Sequence, residues 1–299
     1  MTIALISDYP VIDMHAHLRR DVVLHTHKAY NSGINLVVAM PNTDPCLDNA
    51  DVIKEYSGYS ERGATKIPFL PTSAITIGRE GKKPVNVHSL YPHVVGFTDD
   101  GNCLRDLDIL KYFLSTDVLT MLYCGEEGPL DEWPRSTTET EWIDKYLELN
   151  KDVMGNLYLQ HISRADSVDL IRQAKSDGVK VIAETCPHYF KWTEKTMRVP
   201  VNPPIGDKRD RDAVREGLSD GTIDVIASDY APEPRPKGTG IADWENYIAS
   251  CKSLVDDGVV TERRLMELVY LDPLDVLRSS GACKSKGFLE IVDSLDIDS

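Results

Sequence analysis

"NLYLQHISRADSVDLIRQAKSDGVKVIAET", residues 156–185, decides the fold. Its first part, "NLYLQHI" (156–162), is a short apolar run. In "RADSVDLIRQAKSDG" (164–178), Val168, Ile171 and Ala174 fall on one side of a helix, and Gly178 stops it. "VKVIAET" (179–185) is apolar and β-branched again. Strands this continuously apolar belong to a parallel sheet buried on both faces, and the intervening helix is the crossover such strands need.

The same alternation extends in both directions. "VIDMHAH" (11–17), "INLVVAM" (34–40), "KIPFLPTSA" (66–74), "HVVGFT" (93–98) and "VLTMLY" (118–123) precede the unit, and "TIDVIAS" (222–228) follows it. "DKRDRDAVREGLSDG" (207–221) is a second amphipathic helix. Eight strands alternating with helices predict a (β/α)8 TIM barrel. The 299 residues suit either one large barrel or two ordinary domains. With no Pro-, Gly- or Ser-rich linker, repeat or low-complexity tract, one barrel domain over 1–299 is expected. The tail "KSKGFLEIVDSLDIDS" (284–299) reads as one more short strand outside the barrel.

The net charge is −15, with 41% hydrophobic and 27% charged residues. That balance suits a substantial core and argues against nucleic-acid or anionic-membrane partners. An anionic substrate must then be held by locally placed Arg or Lys. The six cysteines show no CxxC spacing and read as reduced core thiols of a cytoplasmic protein. "MTIALISDYPV" has no basic segment ahead of a long apolar one, so no signal peptide is expected, and no apolar run approaches the length of a membrane span.

In a barrel of this kind the chemistry sits at the C-terminal ends of the strands. There the first strand carries His15 and His17, the second leads to Asn42, the fourth to Asp99 and Asp100, and the fifth to Tyr123 and Cys124. The sixth ends at His161, the seventh leads to Glu184 and His188, and the eighth ends at Asp229. Side chains two apart on a strand point the same way, so His15 and His17 can grip one metal. Carboxylates from the fourth and eighth strands complete a mixed N/O set suited to Zn²⁺. An HxH pair alone is weak evidence; its coincidence with Asp100, His161 and Asp229 on one rim is far more specific.

These residues resemble the dihydroorotases of the amidohydrolase superfamily. The likeness runs almost end to end, through "DMHAHLR", "VVAMPNTDP", "GFTDDG", "LQHISRADSVDLIRQAKSDGVKVIAETCPHYF" and "VNPPIGDKRDRDAVREGLSDGTIDVIASDYAP". MPNT, DDG and NPP point to dihydroorotase-like members. Hydantoinases and allantoinases usually bridge their metals with a carboxylated lysine on strand four, where this chain has Asp100. The resemblance implies an amidohydrolase barrel in which His15, His17, Asp100 and Asp229 hold one Zn²⁺. His161 belongs to the second metal of two-metal members. Arg19 and Asn42 bind the substrate carboxylate, and Asn202 contacts the ring. The implied reaction is reversible hydrolysis of dihydroorotate to N-carbamoyl-L-aspartate in pyrimidine biosynthesis, with Asp229 moving the proton. The alternatives are an impaired dihydroorotase-like scaffold for a transcarbamoylase, or another cyclic amidase. The assemblies weighed are a homodimer and a complex with a transcarbamoylase.

The departures sharpen these expectations. Tyr123, in "LYCGEE", stands where the family has a strand-five histidine, so the second metal site should be weak or absent; Cys124 and Glu126 are the only nearby substitutes. "SDYAPE" replaces "TDHAPH", placing Tyr230 and Glu233 where the family has histidines. Glu233 would repel a substrate carboxylate unless Arg235 or Lys237 compensates. The segment 232–240 reads as a loop over the site. The family's accessory β-sandwich is expected to be largely absent. His25 and His27, about 200° apart on a helix, read as a solvated face.

Overall fold

A computed structural model describes residues 9–132, 134–232, 239–280 and 286–296. Its strands are β1 (Ile12–Ala16), β2 (Leu36–Ala39), β3 (Phe69–Pro71), β4 (Thr120–Leu122), β5 (Leu157–Leu159), β6 (Val181–Thr185) and β7 (Val225–Ile226). All pair in parallel, as β1-β2-β3 and β4-β5-β6-β7. Three parallel bridges join the two sheets into a ring. Phe97 bridges Ser73 on one side and Thr120 on the other, and Ala16 bridges Tyr230 just beyond β7. The molecule is a (β/α)8 barrel.

The fourth run, 93–98, occupies its place in the ring without forming a regular strand. His93 lies in a 3-10 turn, Tyr91–His93. Only the segment around Phe97 bonds to both neighbours: Phe97 N–H to Leu119 O and Met121 N–H to Phe97 O (2.9 and 2.8 Å) on the β4 side, and Ser73 N–H to Gly96 O and Thr98 N–H to Ser73 O (3.0 and 2.8 Å) on the β3 side. Gly96 lies so close to the next strand that a Cβ there would meet Leu119 O at 3.1 Å. Close approach replaces side-chain packing at this point.

The helices form as their local signals require. Ala165–Ser176 buries Val168, Ile171 and Ala174, and the chain turns at Gly178 with φ 81°. Lys208–Asp220 starts at a capping box between Asp207 and Asp210 and ends at Gly221, with φ 87°.

The core has two layers. One, including Val37, Phe69, Leu122, Leu159 and Ile226, lies between strands and helices. The other fills the barrel with Ile12, Met14, Val38, Met121, Tyr158 and Val225, and is joined by Tyr270, Leu274, Leu277 and Val292. Tyr270 stacks on Tyr9 at 6.2 Å. The C-terminal helices therefore close the end where β1 begins, opposite the strand ends that carry the polar residues.

The expected tail strand is a helix, Lys286–Asp293. Phe288, Ile291, Val292 and Leu295 recur at helical spacing and pack on the barrel-filling layer. Among the described residues no helix is long and apolar enough to cross a membrane. The five described cysteines, Cys46, Cys103, Cys124, Cys186 and Cys251, are free thiols.

Register within β1 sets the site. Asp13 pairs with Val37 and Ala16 with Ala39, so three steps along β1 match two along β2. The extra residue is a β-bulge. Before it, Ile12 and Met14 point into the barrel and Asp13 points outward. After it, Ala16 joins the outer layer, and His15 and His17 turn inward.

Outward-facing Asp13 locks the first strand to the last. Its carboxylate accepts Ser228 N–H at 2.9 Å, Ser228 Oγ–H at 2.5 Å and Trp244 Nε1–H at 2.6 Å. Asp13→Ala leaves these buried donors unpaired and is expected to cost roughly 3 kcal/mol or more, measured by urea denaturation. A loss below about 1 kcal/mol would show that the closure does not depend on this carboxylate.

Candidate active site

The inward turn after the bulge brings residues from four strand ends together. His17 Nε2 lies 3.1 Å from Asp229 Oδ1 and 3.6 Å from Asp100 Oδ2. His15 Nε2 lies 3.4 Å from Asp100 Oδ1 and 3.7 Å from Asp229 Oδ1. His161 Nε2 lies 3.7 Å from Asp100 Oδ1. All five residues are buried.

The other ring nitrogens decide what these atoms can do. His15 Nδ1 is 3.0 Å from Glu184 Oε1, and His17 Nδ1 is 2.7 Å from Asn42 Oδ1. Placing the protons on Nδ1 satisfies both acceptors and leaves each Nε2 with a lone pair aimed at carboxylate oxygens. His15 Nε2 is buried with no hydrogen-bond partner. Facing lone pairs need a proton or a cation between them. Two ligands on one tetrahedral ion at about 2.0–2.2 Å are about 3.4 Å apart, which matches these separations. Two triads could hold a metal: His15, His17 and Asp229, or His15, Asp100 and His161. They share His15, so they describe one cluster more than two independent sites.

The charge state suits a cation. Burial disfavours ionised Asp100, but His15, His161 and His17 outweigh it and hold its carboxyl well below the ordinary range. Asp229 is lowered in the same way, against burial, by the His17 hydrogen bond and the charges of His15 and His17. Burial also opposes a charged His15, yet Glu184 and Asp100 hold its pKa well above the usual value, so positive charge is favoured at this ring, carried by a proton on Nε2 or by a metal ion in that proton's place. Arg19, His161 and Asp229 all adopt left-handed backbone, with φ of 49°, 39° and 48°. Residues without glycine's freedom accept this only where the surroundings impose it, which is common at functional sites.

Asn42 links the cluster to the pocket. Its Oδ1 accepts from Arg19 Nη1 at 2.8 Å as well as from His17, and its Nδ2 donates to Asp100 Oδ2 at 2.9 Å. Asn202 lines the same cavity as Arg19, Asn42, His161 and Asp229, but from another loop and away from the cluster.

The groups weighed as substitutes at the end of the fifth strand do not complete a second metal site. Tyr123 stands edge-on to His161, with ring centroids 4.9 Å apart, and its hydroxyl donates to Glu127 Oε1 at 2.8 Å. Burial and Glu127 push that hydroxyl's pKa well up. Cys124 is buried in the outer layer, and Glu126 pairs with Arg105 at 2.5 Å. Asp99 turns away and accepts from the backbone N–H of Ile75 and Thr76. Tyr230 stacks on Trp244 at 3.6 Å.

His25 corrects the solvated-face reading. It is buried, lines the cavity and bonds Tyr230 Oη through Nδ1 at 2.9 Å; His27 is exposed. Glu233, Arg235 and Lys237 lie outside the described residues.

The sequence places Glu184 on the rim without a role, and it misses Glu127 and Arg135. Glu184 holds His15 and also accepts from Tyr158 Oη at 2.7 Å and His161 N–H at 3.1 Å; an acid inside an apolar strand was its signal. Glu127 and Arg135 reach the cavity on a hairpin-like loop after β4, which no local pattern marks.

No family model matches the chain. Dihydroorotase from Desulfotalea psychrophila is 30% identical to it over 96% of this chain and 77% of that protein. Dihydroorotase from Ruminiclostridium cellulolyticum is 32% identical over 96% and 75%. The chain belongs to the dihydroorotase family. Solved structures share the barrel. L-hydantoinase from Arthrobacter aurescens superposes with a TM-score of 0.77 at 20% identity, covering 90% of this chain and 71% of that one. Dihydroorotase from Saccharomyces cerevisiae in complex with 5-fluoroorotic acid gives 0.75 at 16% identity, covering 90% and 84%. At these identities they speak to fold alone.

Glu184→Gln preserves shape but weakens the acceptor that orients His15. It is expected to reduce metal affinity roughly 10- to 100-fold, the usual effect of losing a ligand's orienting partner, measured by competition with a chelator. Affinity equal to the parent's would show that His15 is not positioned by this carboxylate.

Proposed function

We propose that this chain catalyses the reversible hydrolysis of dihydroorotate to N-carbamoyl-L-aspartate, a step of pyrimidine biosynthesis, using one Zn²⁺ held by His15, His17, Asp100 and Asp229. One observation carries the reading: Asn42 joins a guanidinium at the cavity, Arg19, directly to two candidate ligands, His17 and Asp100. A carboxylate anchor thus sits beside a site able to hold a cation. A divalent cation there supplies Lewis acidity towards the ring amide and lowers the pKa of water.

The chain's residues supply the rest. Arg19 presents its planar fork to the substrate carboxylate, an arrangement a lysine cannot copy. Asn42 fixes the Nδ1–H form of His17 and keeps one amide hydrogen for the substrate. Asn202 faces the ring. Asp229, kept ionised by its histidines, accepts the proton of the attacking water and delivers it to the leaving ring nitrogen. His161 steadies Asp100, and a separate second ion is weak or absent because the Tyr123 hydroxyl is engaged with Glu127.

The test pairs elemental analysis of the purified protein with assays of dihydroorotate hydrolysis and carbamoyl-aspartate cyclisation. One bound metal per chain and turnover in both directions are expected; a metal-loaded protein inactive in both would overturn the reading. Asp229→Asn is expected to abolish turnover even in preparations that retain metal. Arg19→Lys is expected to reduce kcat/KM by a factor corresponding to roughly 1–3 kcal/mol; full activity would place the carboxylate elsewhere. Asp100→Ala is expected to lower metal content sharply, and an unchanged content would remove Asp100 from the ligand set.

A further inference from the structure

Arg135 is buried, with 5% of its surface exposed, yet it lines the same cavity as His17, Arg19, His161 and Asp229. Its position comes from the loop after β4. There Glu127 bridges Thr137 in antiparallel fashion, and Gly128 N–H donates to Ser136 O at 2.9 Å. This fold-back carries residue 135 towards the loop that follows β6.

The partners of Arg135 are neutral. Nη1 donates to Asn202 Oδ1 at 2.9 Å, Nη2 donates to the Val201 carbonyl, and Nε is buried without a hydrogen-bond partner. Among the described residues no carboxylate pairs with it. Two half-buried arginines away from the cavity do have such partners: Arg164 pairs with Asp210 at 3.0 Å, and Arg264 with Asp272 at 3.0 Å. Glu127, on the other limb of the loop, is engaged by Tyr123 and Thr137. A guanidinium taken out of water without a counter-charge is costly, and two neutral acceptors orient its plane without neutralising it. A site with that balance is completed by an anion entering from the cavity.

We propose that Arg135, seated on Asn202, is a second anion-binding group of the pocket and shares the carboxylate of the bound substrate with Arg19. This rests on the dihydroorotase reading and adds to it. The pocket then has two guanidinium anchors on separate loops, Arg19 seated on Asn42 and Arg135 seated on Asn202. It selects rings that carry a carboxylate over uncharged rings of the same size. It also supplies a cation independently of segment 233–238.

The test measures binding of dihydroorotate and of N-carbamoyl-L-aspartate by calorimetry, together with the unliganded Tm, for the parent protein, Arg135→Gln and Arg135→Lys. Arg135→Gln is expected to weaken binding of both ligands at least tenfold without lowering the unliganded Tm, because it removes an uncompensated buried charge. Arg135→Lys restores the charge and is expected to recover part of the affinity. Binding within twofold of the parent in Arg135→Gln overturns the proposal. So does equally weak binding in both variants with a lowered Tm, the signature of a purely structural arginine. A parent protein that binds neither ligand defeats the functional reading and this inference together. A parent that binds both while Arg135→Gln is unaffected defeats this inference alone.

Discussion

The site depends on one extra residue in β1. Strand alternation alone, continued from Ile12 and Met14 in the barrel, would send His15 and His17 outward into the helix layer. The bulge between Asp13 and Ala16 reverses the phase. It lets the same short strand fill the barrel at its start, bind Ser228 and Trp244 from its outer face, and offer two imidazoles to the axis at its end. Every later feature of the centre is arranged around those two rings.

The second organising force is electrostatic. The chain as a whole is strongly acidic, and two of its buried acids meet three histidines at the strand ends. Burial alone would favour protonated carboxyls. The histidines reverse that outcome at Asp100 and Asp229, while Glu184 and Asn42 fix how His15 and His17 are turned. Arginines then surround the cavity from several loops, including Arg19, Arg79 and Arg135.

The barrel was legible because buried parallel strands leave a strong pattern, and "NLYLQHI" and "VKVIAET" state it almost without interruption. The cluster was legible because strand ends are where such a fold exposes polar groups, so His15, His17, Asp100, His161 and Asp229 could be gathered before any geometry was known. What escaped depends on contacts distant in sequence. The bulge is visible only in the pairing with β2. His25 is buried because the helix Val22–Asn31 brings it to Tyr230. Arg135 needs the fold-back of an irregular loop. The tail is different: Phe288, Ile291, Val292 and Leu295 carry a helical period in plain sight, and the β-branched pair Ile291 and Val292 disguises it as a strand.

The position of the cluster has a consequence for folding. His17 lies just beyond the first strand and Asp229 just beyond the last, 212 residues apart, where the ring of strands meets itself. An ion held by both would staple the two ends of the barrel. A cross-link over a loop of that length restricts the unfolded chain by about 5 kcal/mol in the chain-entropy view. Filling the site and shutting the barrel would then be one thermodynamic event. Loosening either would be felt by the other, and the metal's contribution would extend from chemistry to the integrity of the whole ring.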